Sequence, residues 1–361
     1  MHKVRVAAAS KVYEIEIESG LYGRLPEIFE SRYKGKKLAL VSDSKVFDLY
    51  GGLFLQRLKE KGFEAVPIVF PEGELHKNID TLSGIYKSLA DASFTRSDYV
   101  VAIGGGVTGD MAGLAAATFL RGMGFIQIPT SLLAMVDSSI GGKVAVDMLE
   151  GKNLIGAFYQ PDAVYTDPSL LKTLDDSLFS DGMAELLKHG FIRDKELSNR
   201  LTALGGRAGL EPQLDEIVLE SCRIKRDVVE QDECDLGLRQ ILNFGHTIGH
   251  AVEKVQQYKG FTHGGAVSAG MVMMTRITEK MGITKIGTSD SISGILKSYG
   301  LPVELPDIST NDLVNAVRID KKTRSGVITI SFIREIGVCE LKELSLGELE
   351  EKIIAELDNR T

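Results

Sequence analysis

Cysteine is scarce in this chain: three residues in 361, Cys222, Cys234 and Cys339, with no CxxC pair among them. An odd number at wide spacing excludes a disulfide framework and a thiolate zinc site, and it points to a reducing, cytoplasmic compartment. Basic charge is also short, with 42 Lys and Arg against 50 Asp and Glu and a formal net charge of -8. That is the wrong sign for coating nucleic acid or anionic lipid, so neither is expected as a partner; only a local basic pocket fits. Long apolar runs are missing as well. The nearest approach, Val100 to Leu120, contains Asp110, two threonines and a glycine cluster, and reads as buried core rather than a membrane span. The basic start, MHKVRVAAAS, has too short an apolar run for a signal peptide, and KVYEIEIES after it alternates as a strand does, so no export is expected.

What is present is ordinary globular composition, 43% hydrophobic and 25% charged, in a chain longer than one hydrophobic core usually fills; two domains are expected. Short β-rich runs, KLALVSD (37–43), EAVPIVF (64–70), YVVAIGG (99–105) and GFIQIPT (124–130), alternate with amphipathic segments in the first half. This rhythm predicts an α/β domain with a parallel sheet and crossover helices. Beyond about Pro168 the apolar period becomes helical, with a short β-like pair, VITISFI and VCELKEL, ahead of a last helix. No internal repeat is visible.

Glycine is the one excess, at 38 residues, and it directs attention to phosphate loops. After the strand YVVAI comes GGGVTGD, Gly104 to Asp110, then a small-residue helix start. Strand, glycine turn and helix N-terminus together present free N–H groups to an anion, and Gly104, Gly106 and Gly109 satisfy GxGxxG. No acid follows at the usual ribose-binding distance, and the motif stands on a late strand. The segment PEGELHK (71–77) offers Glu74 and Lys77; in isolation it reads as a solvated turn with a helix-capping charge. In IPTSLLAMVDSSIGGKVAVD and GKNLIGAFYQP, the charged Asp137, Lys143 and Lys152 and the polar Asn153 stand in apolar, glycine-rich sequence. They read as an anion cradle rather than as surface loops with snorkelling lysines.

The helical half carries the sharpest pattern. His246 and His250 are spaced i, i+4 in NFGHTIGH, His263 follows a glycine-bearing loop, and Glu185 lies on the apolar segment GMAELLKHG. A His, His, Glu set with an open position suits a divalent metal acting as a Lewis acid, and helical spacing alone leaves open which two of the three histidines bind it. Arg239, Asn243, His246 and His250 step by four, three and four, predicting one continuous helical stripe. Lys188 and Lys225 lie near these segments in sequence.

Taken together, GGGVTGDMAGLAAATFLRG, IPTSLLAMVDSSIGGKVAVD, GKNLIGAFYQP, GMAELLKHG, GLRQILNFGHTIGHAVE and DKK resemble the 3-dehydroquinate synthase family, from Asp43 to roughly Gly337. The resemblance implies an NAD-binding Rossmann-like domain over 1–178 and a mostly helical metal- and substrate-binding domain over 179–361, with an active site in the cleft between them and a homodimer. It implies that NAD is held by Asp43, Glu74, Lys77, Gly105, Gly106, Asp110, Thr130, Ser131, Lys152, Asn153 and Thr173. It makes Glu185, His246 and His263 the ligands of zinc, with cobalt also suited, and His250 a proton relay. Asp137, Lys143, Lys188, Lys225, Arg239, Asn243 and one of Lys321 or Lys322 would line the substrate, a sugar phosphate; Lys143, Lys152 and Asn153 would hold its phosphate, with Arg121 reaching it from the partner subunit. Lys225 and Arg239 would clamp its carboxylate. The implied reaction converts 3-deoxy-D-arabino-heptulosonate 7-phosphate to 3-dehydroquinate and phosphate, by transient oxidation with NAD, phosphate elimination, re-reduction and aldol closure.

The chain departs from the family pattern at three places. Asp235 stands where a Glu is usual, Ser177 and Leu178 replace an Arg-Glu pair, and Gly265 replaces an acid beside His263. They leave room for a related cyclase acting on another ketose phosphate. A metal-dependent polyol dehydrogenase is a further alternative, but it has no use for two phosphate-binding lysines.

Overall fold

The computed structural model describes residues 1–320 and 326–358, and the chain divides into two compact units. Unit 1 comprises Met1–Leu174 together with Lys225–Glu233; unit 2 comprises Asp175–Ile224 and Cys234–Thr361. The short return segment is stitched into unit 1 by its acids. Glu230 accepts from the Ala7 amide at 2.6 Å, and Glu233 accepts from the Ser10 amide and the Gln160 side chain, each at 2.8 Å.

Unit 1 is built on a seven-stranded sheet. Its strands are β1 (His2–Ala7), β2 (Val12–Ile17), β3 (Leu38–Asp43), β4 (Ala65–Phe70), β5 (Tyr99–Gly104), β6 (Gly124–Pro129) and β9 (Ala163–Thr166), in the order β1-β2-β9-β6-β5-β3-β4. Only the β1–β2 pairing is antiparallel. The helices between strands are α1 (Leu25–Tyr33), α2 (Gly52–Glu60), α3 (Ile79–Asp91) and α4 (Gly106–Thr118). Strand alternation explains how they cover both faces: Leu38 and Leu40 pack with Phe29, Phe54 and Leu58 of α1 and α2, while Ala39 and Val41 pack with Leu82, Ile85, Met111 and Ala115 of α3 and α4. The apolar run from Val100 to Leu120 is therefore a buried strand followed by a buried helix. Among the described residues no helix is long and apolar enough to cross a membrane.

Two elements escaped the sequence pattern. The segment read as an anion cradle is a β-hairpin, β7 (Lys143–Met148) and β8 (Gly151–Phe158), whose Val144 and Val146 pack onto the α4 side of the sheet. β9 follows it with four buried residues, too short to show a period.

Unit 2 contains α5 (Asp176–Arg193), α6 (Lys195–Leu204), most of α7 (Leu214–Gln231), α8 (His246–Val255), α9 (His263–Lys280), α10 (Thr288–Ser298), α11 (Thr310–Asp320) and α12 (Leu346–Asp358), with an antiparallel pair β10 (Val327–Glu335) and β11 (Val338–Ser345). The last residues of α7 belong to unit 1. Glycines set the closest approaches. A Cβ at Gly270 of α9 would lie 2.2 Å from the Gly245 carbonyl before α8, and one at Gly264 would lie 2.2 Å from the Asp181 carbonyl of α5. The Gly264 amide also donates to the Asp181 carboxylate. Three helices are thus drawn together where their chemistry-bearing side chains lie.

Candidate functional site

In unit 1 the residues implied for NAD cluster at the carboxyl ends of the parallel strands. Asp43 ends β3, Glu74 and Lys77 follow β4, Gly105 and Gly106 follow β5, Thr130 and Ser131 follow β6, and Thr173 lies beyond β9. The strand order reverses between β3 and β5, because β4 lies on one side of β3 and β5, β6 and β9 on the other. Ligand crevices in open α/β sheets form at such a reversal. A late strand in sequence is therefore a central one in space. The acid expected about twenty residues downstream comes instead from β3: Thr108 donates to Asp43 across the crevice at 3.2 Å.

The start of α4 fits a pyrophosphate. Gly105 precedes the helix with no side-chain cap, and the first turn holds no acid. Cβ atoms at Gly105 and Gly106 would meet the Ser131 and Ser138 hydroxyls at 3.4 and 3.2 Å, so the bare backbone leaves a polar cradle above the helix dipole. Gly109 and Gly113 are glycine for another reason: added Cβ atoms would strike Gln127 and Val144.

Beside this cradle a charged cluster forms around Lys77. In PEGELHK residues 71–75 are exposed, as a solvated turn would be, but Lys77 at its end is buried. Its ammonium contacts the Asp110 carboxylate at 2.6 Å and donates to Asn153 Oδ1 at 2.5 Å, partners 33 and 76 residues away that no local pattern could show. Lys152 lies 3.6 Å from Glu74. Burial pushes the Asp110 carboxyl up to about 6 despite the Lys77 charge that opposes it. Asp147, not singled out in the sequence, completes the cluster by accepting from the Asn153 amide at 2.7 Å.

The remaining unit 1 residues have other partners. In the hairpin Lys143 pairs with Phe158 while Gly151 pairs with Met148, so Lys143 and Lys152 occupy opposite ends, about 13 Å apart along the strand, and do not form one cradle by themselves. Asp137 accepts from the buried Lys225 ammonium through its carboxylate and through its main-chain carbonyl. Thr173 shares a 2.5 Å hydrogen bond with the Tyr50 hydroxyl. Arg121 stands beyond the far end of α4, about 20 Å of helix from Gly105.

In unit 2 Glu185, His246 and His263 come together. His246 Nε2 lies 3.5 Å and His263 Nε2 3.7 Å from Glu185 Oε1, a fully buried oxygen with no hydrogen-bond partner. Three neighbouring polar groups have partners of their own. Lys188 donates to Glu185 Oε2, His246 Nδ1 lies 3.3 Å from the Phe244 carbonyl, and His263 Nδ1 lies 3.3 Å from Glu253 Oε2. Both imidazoles thereby aim Nε2 at one point. Burial, the Lys188 charge and the neighbouring histidines hold His246 well below the usual histidine range, in the neutral form a metal requires. For His263 burial also disfavours charge, but the Glu253 hydrogen bond and the acids Glu253, Glu185 and Asp181 outweigh it and push the group up to about 9. An orphaned carboxylate oxygen flanked by two oriented imidazoles fits a divalent cation. His250, Glu253 and His263 form a second group of ligand type sharing His263. Glu253, one turn after His250, was overlooked in the sequence.

The continuous stripe predicted from Arg239 to His250 is broken. Leu238–Asn243 is a 3-10 turn, Phe244 is extended, and Gly245 turns left-handed at φ 84° before α8 starts at His246. Two non-helical residues, Phe244 and Gly245, interrupt the helical path and leave the four-three-four spacing in the sequence unchanged. Arg239 is buried in that turn. Lys321 and Lys322 lie outside the described residues.

The departures lie in different local settings, and nothing in the structure explains Ser177 and Leu178. Asp235 adopts φ 59°, a left-handed conformation that short Asp tolerates better than Glu. A side chain at Gly265 would meet Thr262, Phe261 and Pro302, none of them a metal-site residue. Ser177 and Leu178 lie in the first turn of α5, with Leu178 exposed.

Sequence profiles described as 3-dehydroquinate synthase N-terminal and C-terminal match residues 67–181 and 182–323. The 3-dehydroquinate synthase of Clostridium kluyveri is 44% identical over 349 residues, 97% of this chain and 97% of its own. The chain belongs to the 3-dehydroquinate synthase family. That of Clostridium perfringens is 45% identical over 93% of this chain and 96% of its own. Among solved structures, a Streptomyces hygroscopicus 2-epi-5-epi-valiolone synthase with NAD+ and Zn2+ bound has a TM-score of 0.87 at 25% identity, covering 99% of this chain and 100% of its own. A 2-deoxy-scyllo-inosose synthase with carbaglucose-6-phosphate, NAD+ and Co2+ also reaches 0.87, at 24% identity over 98% and 99%. The dehydroquinate synthase-like fold expected from the sequence is borne out by these neighbours.

Proposed function

We infer that this chain converts 3-deoxy-D-arabino-heptulosonate 7-phosphate to 3-dehydroquinate and phosphate, a step of the shikimate pathway toward aromatic amino acids. The observation that carries this reading is the unpaired Glu185 oxygen between two oriented imidazoles, in a chain whose relatives of 44–45% identity are 3-dehydroquinate synthases. Bound NAD supplies a hydride acceptor that is regenerated within the cycle, so no net redox results. A divalent cation held by Glu185, His246 and His263, zinc in the first instance, supplies Lewis-acid polarisation of a substrate hydroxyl.

The chain's own residues do the rest. The Gly105–Gly106 backbone and the Ser131 hydroxyl bind pyrophosphate at the start of α4, and Asp43 accepts from a ribose hydroxyl. Lys77, Lys152 and Asn153 hold anionic oxygen of cofactor and substrate phosphate, with Glu74 and Asp110 fixing the lysines. Lys188 keeps Glu185 turned so that Oε1 stays available. Arg239 and Asn243 orient the carboxylate end of the substrate, and a guanidinium gives that contact a two-pronged geometry a lysine would not. His250 moves protons beside the metal ligands, and Lys225 fixes Asp137.

Two copies of the chain pair as a homodimer in the cytoplasm. Support comes from the outer face of the β7–β8 hairpin, where Leu154 and Phe158 are exposed near Met148 and Leu149. The position of Arg121, remote from its own α4 N-terminus, suits donation to a second copy. The three cysteines are free, as a reducing compartment requires.

The decisive experiment follows phosphate release from the heptulosonate phosphate with NAD and zinc, while absorbance at the NADH band is recorded. Release that needs both cofactors and accumulates no NADH supports the reading. Net NADH formation from a polyol would replace it with a dehydrogenase, and release from another ketose phosphate alone would replace it with a related cyclase.

A further inference from the structure

We propose that Asp147 is a positioning residue that assembles the phosphate-binding cluster of unit 1, by fastening the segment around Lys77 to the hairpin tip and holding Asn153 left-handed. Asp147 sits where the β7–β8 register shifts between Val146 and Met148, so that it alone stands opposite Lys152, Asn153 and Leu154 of the bulged β8. Its amide donates to the Lys77 carbonyl at 2.8 Å, and it forms an isolated parallel bridge with Asn78. Its Oδ1 accepts from the Asn153 amide at 2.7 Å. Asn153 has φ 55°, a conformation that a side-chain-bearing residue keeps when surrounding contacts over-determine it. With its backbone so turned, Asn153 receives the Lys77 ammonium at 2.5 Å, and that ammonium reaches Asp110 at 2.6 Å. One residue therefore holds both sides of the cluster, its main-chain amide the Lys77 carbonyl and its half-buried carboxylate the Asn153 amide, and it is the carboxylate that a substitution removes.

The inference rests on reading Lys77, Lys152 and Asn153 as a cofactor and phosphate site. Calorimetric titration of the full chain with NAD, and separately with inorganic phosphate, tests it. Asp147→Ala is expected to weaken NAD binding about tenfold, the equivalent of one lost hydrogen bond to a charged group. Asp147→Asn, which still offers an oxygen to the Asn153 amide, should stay within about threefold of wild type on the same scale. Glycine adopts the left-handed conformation unaided, so Asp147→Ala in an Asn153→Gly background should cost less than it does alone. Equal losses in Asp147→Asn and Asp147→Ala, or strict additivity with Asn153→Gly, would overturn the proposal. If Asp147→Ala does not fold, a tenfold loss in Asp147→Asn still overturns it. Lys152→Ala separates the two levels: wild-type binding there would sink the site reading itself, whereas a loss there with wild-type binding in Asp147→Ala sinks only the role of Asp147.

Discussion

Replacing Lys77 by methionine should produce a stability loss that grows with pH, and the structure gives its size. The Lys77 and Asp110 side chains are only 6% and 16% exposed, so solvent screens their contact weakly. In the folded chain Asp110 titrates near 6 against an ordinary 3.8, burial outweighing Lys77. A carboxyl raised on folding favours the protonated form. Its contribution to stability is fully present below 3.8 and is lost as pH rises through about 6, after which the wild type loses no more from this group. Without the lysine charge the carboxyl rises further, and the variant keeps losing about 1.4 kcal/mol per pH unit above that point. Lys77 stays charged throughout, because Asp110, Glu74 and Asp147 hold its pKa above the usual lysine value against the opposing effect of burial. The gap between wild type and Lys77→Met should therefore be small at pH 6, about 1 kcal/mol larger at pH 7 and about 2 kcal/mol larger at pH 8. Urea unfolding at the three pH values measures it. Adding Asp110→Asn should flatten the dependence. A gap constant from pH 6 to 8, or one untouched by Asp110→Asn, would refute the reasoning.

Three further outcomes are expected. Gly113→Ala would place a methyl 2.4 Å from Val144 and 3.0 Å from the Phe125 ring, and overpacking of this kind should cost about 1–3 kcal/mol in chemical denaturation; wild-type stability would show that the hairpin yields freely. Glu253→Ala should lower zinc affinity about 10–100-fold in chelator competition, because His263 loses the partner that fixes its ring; unchanged affinity would remove Glu253 from the metal site. His250→Ala should retain its metal and turn over slowly, while His263→Ala should lose the metal; the reverse in elemental analysis would make the ligand assignment wrong.

The strands β3, β4, β5 and β6 of the sheet were legible because each run is short, apolar and bounded by turns. Glu185, His246, His250 and His263 were legible as a set because metal-type side chains on apolar helices have few other uses. What stayed hidden depends on contacts between distant residues. Lys77 looks like a surface charge until Asp110 and Asn153 arrive from 33 and 76 residues away. Asp147 looks like the polar member of an alternating strand, and only the register shift sets it opposite Asn153. The break at Phe244 and Gly245 kept the spacing of a helix, so periodicity could not reveal it. The hairpin was obscured by its exposed apolar residues, which give no inside-outside alternation.

The return of Lys225–Glu233 to unit 1 has a consequence for synthesis. On the ribosome, a nascent chain that has reached Leu174 holds the whole central sheet but lacks Glu230 and Glu233, which satisfy amides of Ala7 and Ser10, and Lys225, which neutralises Asp137. The first unit must therefore wait, incompletely closed, while Asp175–Ile224 is made. A gene cut after Leu174 would express a sheet with open seams, and a peptide carrying residues 225–233 should be the piece that closes them.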